Sequence, residues 1–462
     1  MSSMANNPFR EKFRTFSYDG YTVEKTDESI KIAFNFSIEG LCDFCPSTTI
    51  DVSNLEMVND FDSPAALEII FSLGMVEAVS YFKAVCPERF AVHCGRLSPE
   101  DKKWWKKLWF NGLGEFFYKN SIVCNEEDFI EIDAPDRVRG TVEDCFKGSG
   151  INIIPVGGGK DSCVTAELLK SKKQHNMFFT VNDQQARTQC IEASGYAQQS
   201  VIRTFRTIDK NLLELNSRGF LNGHTPFSAI VAFLSLYCAY ITGAQSIVLS
   251  NESSANESNI AGTNINHQYS KSYAFECDFN DYVTANITDK IKYFSLLRPF
   301  NELQIAKYFS ALPQYHEVFR SCNAGSKKNV WCCKCPKCLF VYGILSPFFE
   351  AGRLEEIFGE NLLDKRELET DFDGLVGFSD LKPFECVGTA QELRLALALC
   401  AKRLNNEAKP LPYLLERFCS KADIEGLAAS RSLFTDFNEE NNVPHEFADN
   451  VGEMYGFVSK AD

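Results

Sequence analysis

The segment IIPVGGGKDSCVTAELL holds the residues best placed to do chemistry. Gly157, Gly158 and Gly159 permit backbone torsions that other residues resist, and they keep side chains out of the loop so that an anion can approach the main chain. A helix expected from Asp161 turns its free N–H groups and the positive end of its dipole toward the same point. Lys160 and Ser162 add side-chain donors, so a strand, a glycine turn and a helix here make a phosphate cradle. It is not a Walker A loop, which needs Ser or Thr directly after the Lys, where Asp161 stands. It also lacks the G-x-G-x-x-G spacing of a dinucleotide fold.

The second cluster is RSCNAGSKKNVWCCKCPKC. Cys322, Cys332, Cys335 and Cys338 form C-x9-C-x2-C-x2-C, and thiolates three apart in a tight turn can converge on one tetrahedral ion. Zinc is the first expectation. A [4Fe–4S] cluster could use the same ligands, and thiols without metal are the third reading. Cys333 is the spare thiol and is exchangeable with Cys332 on spacing alone. A four-thiolate site has no open coordination position, so its expected work is to pin the chain beside the phosphate loop.

The elements around these clusters divide the 462 residues into three expected regions. Residues 1–147 read as an α+β domain. Two alternating strand-like runs flank a turn at Asp27–Glu28, and SPEDKKWWKKLWF opens with Ser98 as N-cap and Asp101 completing a capping box. Trp104, Trp105 and Trp109 are expected in the core. Residues 148–350 alternate continuously apolar strands (INIIPV, NMFFTVN, SVIRTF, SIVLSNE) with helix-length segments, the pattern of a parallel sheet covered on both faces. Ligands in such sheets bind beyond the carboxyl ends of the strands, where the phosphate loop falls. Residues 351–462 are expected to be mostly helical. The fold class is therefore α/β, a parallel sheet with helices on both faces, plus an N-terminal α+β domain and a C-terminal helical region.

Composition narrows the partners. A net charge of −15 repels polyanions on average, so no nucleic-acid partner is expected. No run reaches the ~20 apolar residues of a bilayer span, the longest being Phe227 to Ala244, so no membrane partner is expected. The start has no apolar signal segment, and eighteen cysteines suit a reducing compartment, so the expected location is cytoplasmic. Oligomeric state is left open.

The loop resembles the S-G-G-x-D-S motif of the ATP pyrophosphatase (PP-loop) superfamily, with Gly157 in place of the first Ser. That resemblance implies ATP cleaved between its α and β phosphates to activate a carboxylate. It also implies adenosine held near Asn182 and Asp183 after the second strand, a cation facing phosphate at Arg203, and Asp161 orienting the loop or helping to hold Mg²⁺. The whole chain is similar to the UDP-N-acetyl-α-D-muramoyl-L-alanyl-L-glutamate epimerases. AVSYFKAVCP, IPVGGGKDS, SNESSANESN followed by NHQYSKS, WCCKCPKC and KPFECVG carry that resemblance in this order.

The resemblance implies an isomerase of peptidoglycan synthesis. Its partner would be a UDP-muramoyl dipeptide, whose terminal L-glutamate becomes D-glutamate through an acyl-adenylate, with AMP and pyrophosphate released. Adenylation removes the carboxylate charge that opposes loss of the α-proton, so a tuned base and a proton donor can then invert the centre. The loop residues His224, His267 and Lys271 are the candidate acid and base, with Tyr269 beside them. Glu252 and Asn256 are candidates for metal or substrate contact, and Cys386 is read as buried. A 7-cyano-7-deazaguanine synthase-like or amide-forming enzyme is the alternative, and a non-catalytic nucleotide-binding module the reading from a different class.

Overall fold

Strands at the centre of the protein are apolar throughout because both of their faces are covered. The computed structural model describes all residues except 1, 4–6, 141–144, 197–199, 257–265, 268, 380, 431 and 461–462, so the residues Glu257–Asn259 of SNESSANESN and Gln268 of NHQYSKS lie outside the described residues. One mixed sheet of eleven strands organises the fold. In chain order they are β1 (Thr15–Lys25), β2 (Ser29–Ile38), β3 (Cys42–Phe44), β4 (Ser47–Asp51), β5 (Arg89–Val92), β6 (Glu131–Asp133), β7 (Asn152–Pro155), β8 (Asn176–Val181), β9 (Val201–Thr207), β10 (Ser246–Leu249) and β11 (Lys292–Ser295).

Across the sheet the order is β11-β10-β7-β8-β9-β4-β2-β1-β5-β6, with β3 on β2. The first five of these are parallel. Their order reverses between β7 and β10, and a crevice opens at such a switch point beyond the carboxyl ends of the strands. The glycine loop leaves β7 at that point. β4 then pairs antiparallel with β9, Ile50 opposite Thr204, so the sheet runs on into the N-terminal strands without a break at residue 147.

The helices that bear on the site are α1 (Pro64–Glu77), α2 (Pro99–Gly112), α3 (Gly114–Lys119), α4 (Lys160–Leu168), α5 (Gln185–Ser194), α6 (Phe227–Thr242), α7 (Tyr273–Asn286), α8 (Glu302–Ser310), α9 (Pro336–Leu345) and α10 (Ala390–Asn406), among others. Side chains alternate across a strand. Ile153 and Ile247 therefore join a core with α1, α2, α6 and α7, while Ile154 and Val248 join a second core with α8, α9 and α10. N-terminal helices with α6 and α7 cover one face, and α4 and α8 with the helical C-terminal region cover the other.

Ser98 caps α2 as its sequence expects, its hydroxyl accepting from Asp101 N–H and Asp101 accepting from Ser98 N–H. Trp105 and Trp109 are fully buried, and Trp104 is half-buried with its indole N–H donating to the Asp278 carbonyl at 2.8 Å. The longest apolar helix lies not at Phe227–Ala244, where the sequence suggests it, but in SPAALEIIFSLGMVEAVSYFKAV, which the sequence also marks as helical. Residues Pro64–Phe82 are helical, 19 residues long and apolar enough to cross a membrane, and 89% of their most apolar window is buried inside the protein. That helix is long because it spans the central core.

Candidate active site

A cleft of about 510 Å³ opens where the strand order reverses. Gly157, Gly159, Asp161 and Ser162 form one wall, Leu249–Glu252 another, and His224, His267, Lys271, Lys337 and Cys386 close the far side.

The glycine wall follows from local geometry. Gly159 is the N-cap of α4 and makes no side-chain cap, so the first N–H groups of the helix face the loop without a capping side chain. A Cβ on Gly157 would meet nothing within 4 Å, so the space in front of that residue is room that a ligand can use. Gly158 has a different reason to be glycine. Its φ is +84°, and a Cβ there would come within 3.1 Å of Arg187 N at the start of α5. Its carbonyl accepts from Arg320 N–H at 2.7 Å, tying the loop to the segment that leads into the cysteines.

Lys160 does not face the cleft. It is buried, and its ammonium pairs with Asp161 and Glu302. Burial opposes the charge, but the two carboxylates hold it above the ordinary lysine value. Burial pushes Glu302 up to about 8, with Asp161 and Glu252 adding to the shift against the pull of Lys160. The lysine thus braces the loop against α8. Glu392, in the first turn of α10, extends this brace by accepting from Glu302 N–H at 3.0 Å and from the Ser254 hydroxyl at 2.9 Å.

Asn182, Asp183 and Arg203 lie outside the described lining. Asn182 has φ +58°, and its side-chain oxygen accepts from Arg206 N–H at 2.9 Å, so it serves the strand-end turn. Gln184 and Arg187 reach the cleft instead. At this strand end the turn conformation decides which side chains point inward.

Four sulfurs, from Cys322, Cys332, Cys335 and Cys338, lie within 4.8 Å of one another. Cys332 and Cys335 approach the Cys338 sulfur at 3.7 and 3.5 Å. A tetrahedral ion with metal–sulfur bonds of ~2.3 Å sets its sulfurs roughly 3.8 Å apart, so the donor set suits zinc. Cys333 points elsewhere, toward the Phe358 carbonyl at 3.2 Å, which distinguishes it from Cys332. Cys322 also lines the cleft, so the cluster and the glycine loop share a wall.

The far side is assembled from distant segments. Glu115 of α3 accepts from His267 Nδ1, and His224 Nδ1 lies 3.6 Å from the same carboxylate. The two imidazole rings are 4.3 Å apart. These three residues bring possible metal ligands within 4.8 Å of one another, and Glu115 and His267 bond each other directly. His267 also shares a hydrogen bond with Cys386.

Burial works against charge on His267, yet the bonds to Cys386 and Glu115 raise it to about 9. Burial and the neighbouring His267 push His224 down to about 3, so it is neutral. Burial disfavours charge on Glu115 too, but His267 and Lys119 bring it down to about 2. Lys271 stays an ammonium, since Cys386 and Glu252 outweigh its desolvation.

Arg298 holds this side in place. It is fully buried and donates to the carbonyls of Glu252 at 2.7 Å and Lys271 at 2.6 Å, fixing two cleft segments at once. Lys83, within AVSYFKAVCP, donates to Thr225 Oγ1 at 2.9 Å and so steadies the turn that carries His224.

Two family profiles match the chain, the MurL N-terminal domain over residues 8–296 and the MurL C-terminal domain over residues 318–424. The chain is 35% identical over 351 residues to the UDP-N-acetyl-α-D-muramoyl-L-alanyl-L-glutamate epimerase of Xanthomonas oryzae pv. oryzae, covering 74% of this chain and 76% of that protein. The chain belongs to this epimerase family. Proteins of the same name from a Micromonospora species and from Salinispora tropica are 32% and 31% identical, over 87% and 85% of this chain and 89% and 87% of their own lengths. The family's division between its two domains falls after β11, where the sheet ends, and keeps the N-terminal strands and the parallel strands in one unit.

Proposed function

We propose that this chain epimerises the terminal L-glutamate of UDP-N-acetylmuramoyl-L-alanyl-L-glutamate to D-glutamate in peptidoglycan synthesis, driven by ATP through an acyl-adenylate. The relatives' names support the substrate. The observation that carries the mechanism is that one cleft holds both a phosphate cradle at a helix N-terminus and a cluster of proton-handling side chains. The PP-loop resemblance of the glycine turn supports ATP as the activating nucleotide.

In this reading the main chain of residues 157–159 and the N-terminus of α4 bind the phosphates. Arg187 and Arg320 are cations placed on the cleft to meet them. Mg²⁺ takes few protein carboxylates and several phosphate or water oxygens, and Asp161, with Glu252 across the cleft, provides carboxylates beside the cradle. It would neutralise the charge on the departing pyrophosphate. Zinc on the four cysteines would be structural, fixing the segment that Arg320 ties to Gly158. A reducing cytoplasm keeps those thiolates available.

The test is to incubate the protein with ATP, Mg²⁺ and the UDP-muramoyl dipeptide in D₂O. AMP, pyrophosphate, D-glutamate and deuterium at the glutamate α-carbon are the expected products. AMP formation without any exchange at that carbon would indicate an amide-forming or other carboxylate-activating enzyme, and nucleotide binding without AMP a non-catalytic module.

A further inference from the structure

Adenylation of the substrate leaves one chemical problem, which is removal of the α-proton. Of the three residues the sequence offers as acid and base, His267 and Lys271 are held protonated, and His224 is a neutral ring whose basicity burial has weakened. None of these is a strong acceptor. The group between them is the sulfur of Cys386, which lines the cleft together with His267, Lys271 and Lys337.

We propose that Cys386 is a catalytic residue, its sulfur exchanging the proton with the glutamate α-carbon on one face. This deepens the proposed function and rests on that reading. The geometry is a relay of three side chains, in which Glu115 bonds His267 and His267 bonds Cys386. It is the order that orients an imidazole and keeps a neighbouring thiol ionised. The 382–388 segment is held over the cleft by packing on the helix that supplies Glu115. Tyr118 and Phe384 rings lie 5.4 Å apart, and the Lys119 ammonium sits 5.5 Å from the Phe384 ring centre. Burial alone would push the thiol up, but Lys271, Lys337 and His267 hold it well below the ordinary thiol value.

The step balances. The thiolate takes the α-proton and becomes a thiol, and the electron pair of the broken C–H bond moves onto the acyl oxygen of the adenylate as an enolate. A proton drawn from solvent through the opposite face is given to the α-carbon and the carbonyl re-forms, while Lys271 and His267 stay beside the sulfur. The thiol then passes its proton to solvent. Water cleaves the mixed anhydride, releasing AMP and the inverted acid.

Cys386→Ala should still release AMP from ATP and the UDP-muramoyl dipeptide, while deuterium uptake at the α-carbon and D-glutamate formation fall by about 10²- to 10⁴-fold, the range for a positioned acid or base. Exchange at the wild-type rate in that variant overturns the role of Cys386 while leaving the proposed function intact. No AMP from the wild-type protein overturns both. The wild-type protein gives a check independent of variant folding. Iodoacetamide at pH 6.5 should alkylate Cys386 faster than the exposed Cys45 and Cys145, and ATP with the dipeptide should slow that reaction. Equal labelling of the three, or no slowing, counts against a reactive thiolate in the site. A dipeptide linked to Cys386 and released by hydroxylamine would replace proton transfer with a thioester.

Discussion

The two sides of the cleft are built in opposite ways. The phosphate side comes from about a dozen consecutive residues, where β7, three glycines and α4 leave main-chain N–H groups facing the cavity. The proton-handling side takes Glu115 from α3, His224 from the turn before α6, His267 and Lys271 from the turn before α7, and Cys386 from the loop before α10. An anion can be bound by backbone, which any short strand–turn–helix supplies. A proton must be moved by side chains with tuned charge, and tuning requires several elements to converge. The two sides should therefore fail separately when changed one at a time.

The largest effect on both activities at once is expected at Gly157. A Cβ there meets nothing within 4 Å and the rest of a Val side chain takes up space in front of the cradle, so AMP release and epimerisation should fall together by about 10²- to 10³-fold, as for losing backbone donors aimed at developing charge. The melting temperature should hardly change. Gly158→Val would be a poorer probe, because it strains a φ of +84° and presses on α5. If Gly157→Val retains pyrophosphate release, the comparison collapses and the loop leaves the mechanism.

The cysteine cluster belongs to the phosphate side, through Cys322 in the cleft wall and Arg320 on Gly158. Purified protein should carry about one equivalent of zinc. Cys335→Ser should lower stability by at least ~2 kcal/mol, roughly 2 °C or more for a chain of this length, since metal binding is coupled to folding. AMP release should drop with it. Iron and a visible absorption band on metal analysis would make the site a cluster instead.

Glu115→Gln sharpens the contrast from the other side. It keeps the shape but removes the charge that orients His267, so deuterium exchange should fall about 10-fold or more while AMP release from the same mixture stays near wild type. Parallel losses in both assays would show that the two sides are not separable.

How much of this was legible follows the same division. The glycine loop, the Ser98 cap and the Cys-x2-Cys-x2-Cys spacing are contiguous, and local chemistry decides them. The role of Lys160 was not legible, because its partner Glu302 is 142 residues away and reverses the expectation that the ammonium meets phosphate. Arg298 is silent in sequence, since only the folded chain shows it fully buried against the Glu252 and Lys271 carbonyls. Cys386 looked like a small buried hydrophobe because its cationic neighbours arrive from other segments. The continuous sheet was hidden for a related reason. The pairing of β4 with β9 joins strands some 150 residues apart, and edge-strand sequences do not name their partner.

The smallest effect concerns stability against pH and separates the Cys386–His267 pair from everything around it. His267 is raised to about 9 from 6.5, so alone it contributes stability that is complete below about pH 6.5 and lost as pH rises through about 9. Cys386 is depressed, so alone it contributes stability that is complete above the ordinary thiol pKa near 9 and lost as pH falls toward its lowered value. Between pH 6.5 and 9 one group binds an extra proton in the folded state and the other binds one fewer, and the two slopes offset. Removing either partner should expose the other. In Cys386→Ala, His267 keeps Glu115, and stability relative to wild type should fall as pH rises across this window. In His267→Gln, the thiol keeps Lys271 and Lys337, and relative stability should rise. His224 and Glu115 titrate below the window, while Lys83 and Glu302, each near 8, are shared by all three proteins and cancel in the differences. Melting temperatures at pH 6.5, 7.5 and 8.5 give the sign of each slope. Slopes of the same sign in both variants would mean that the sulfur and the imidazole do not form a charged pair.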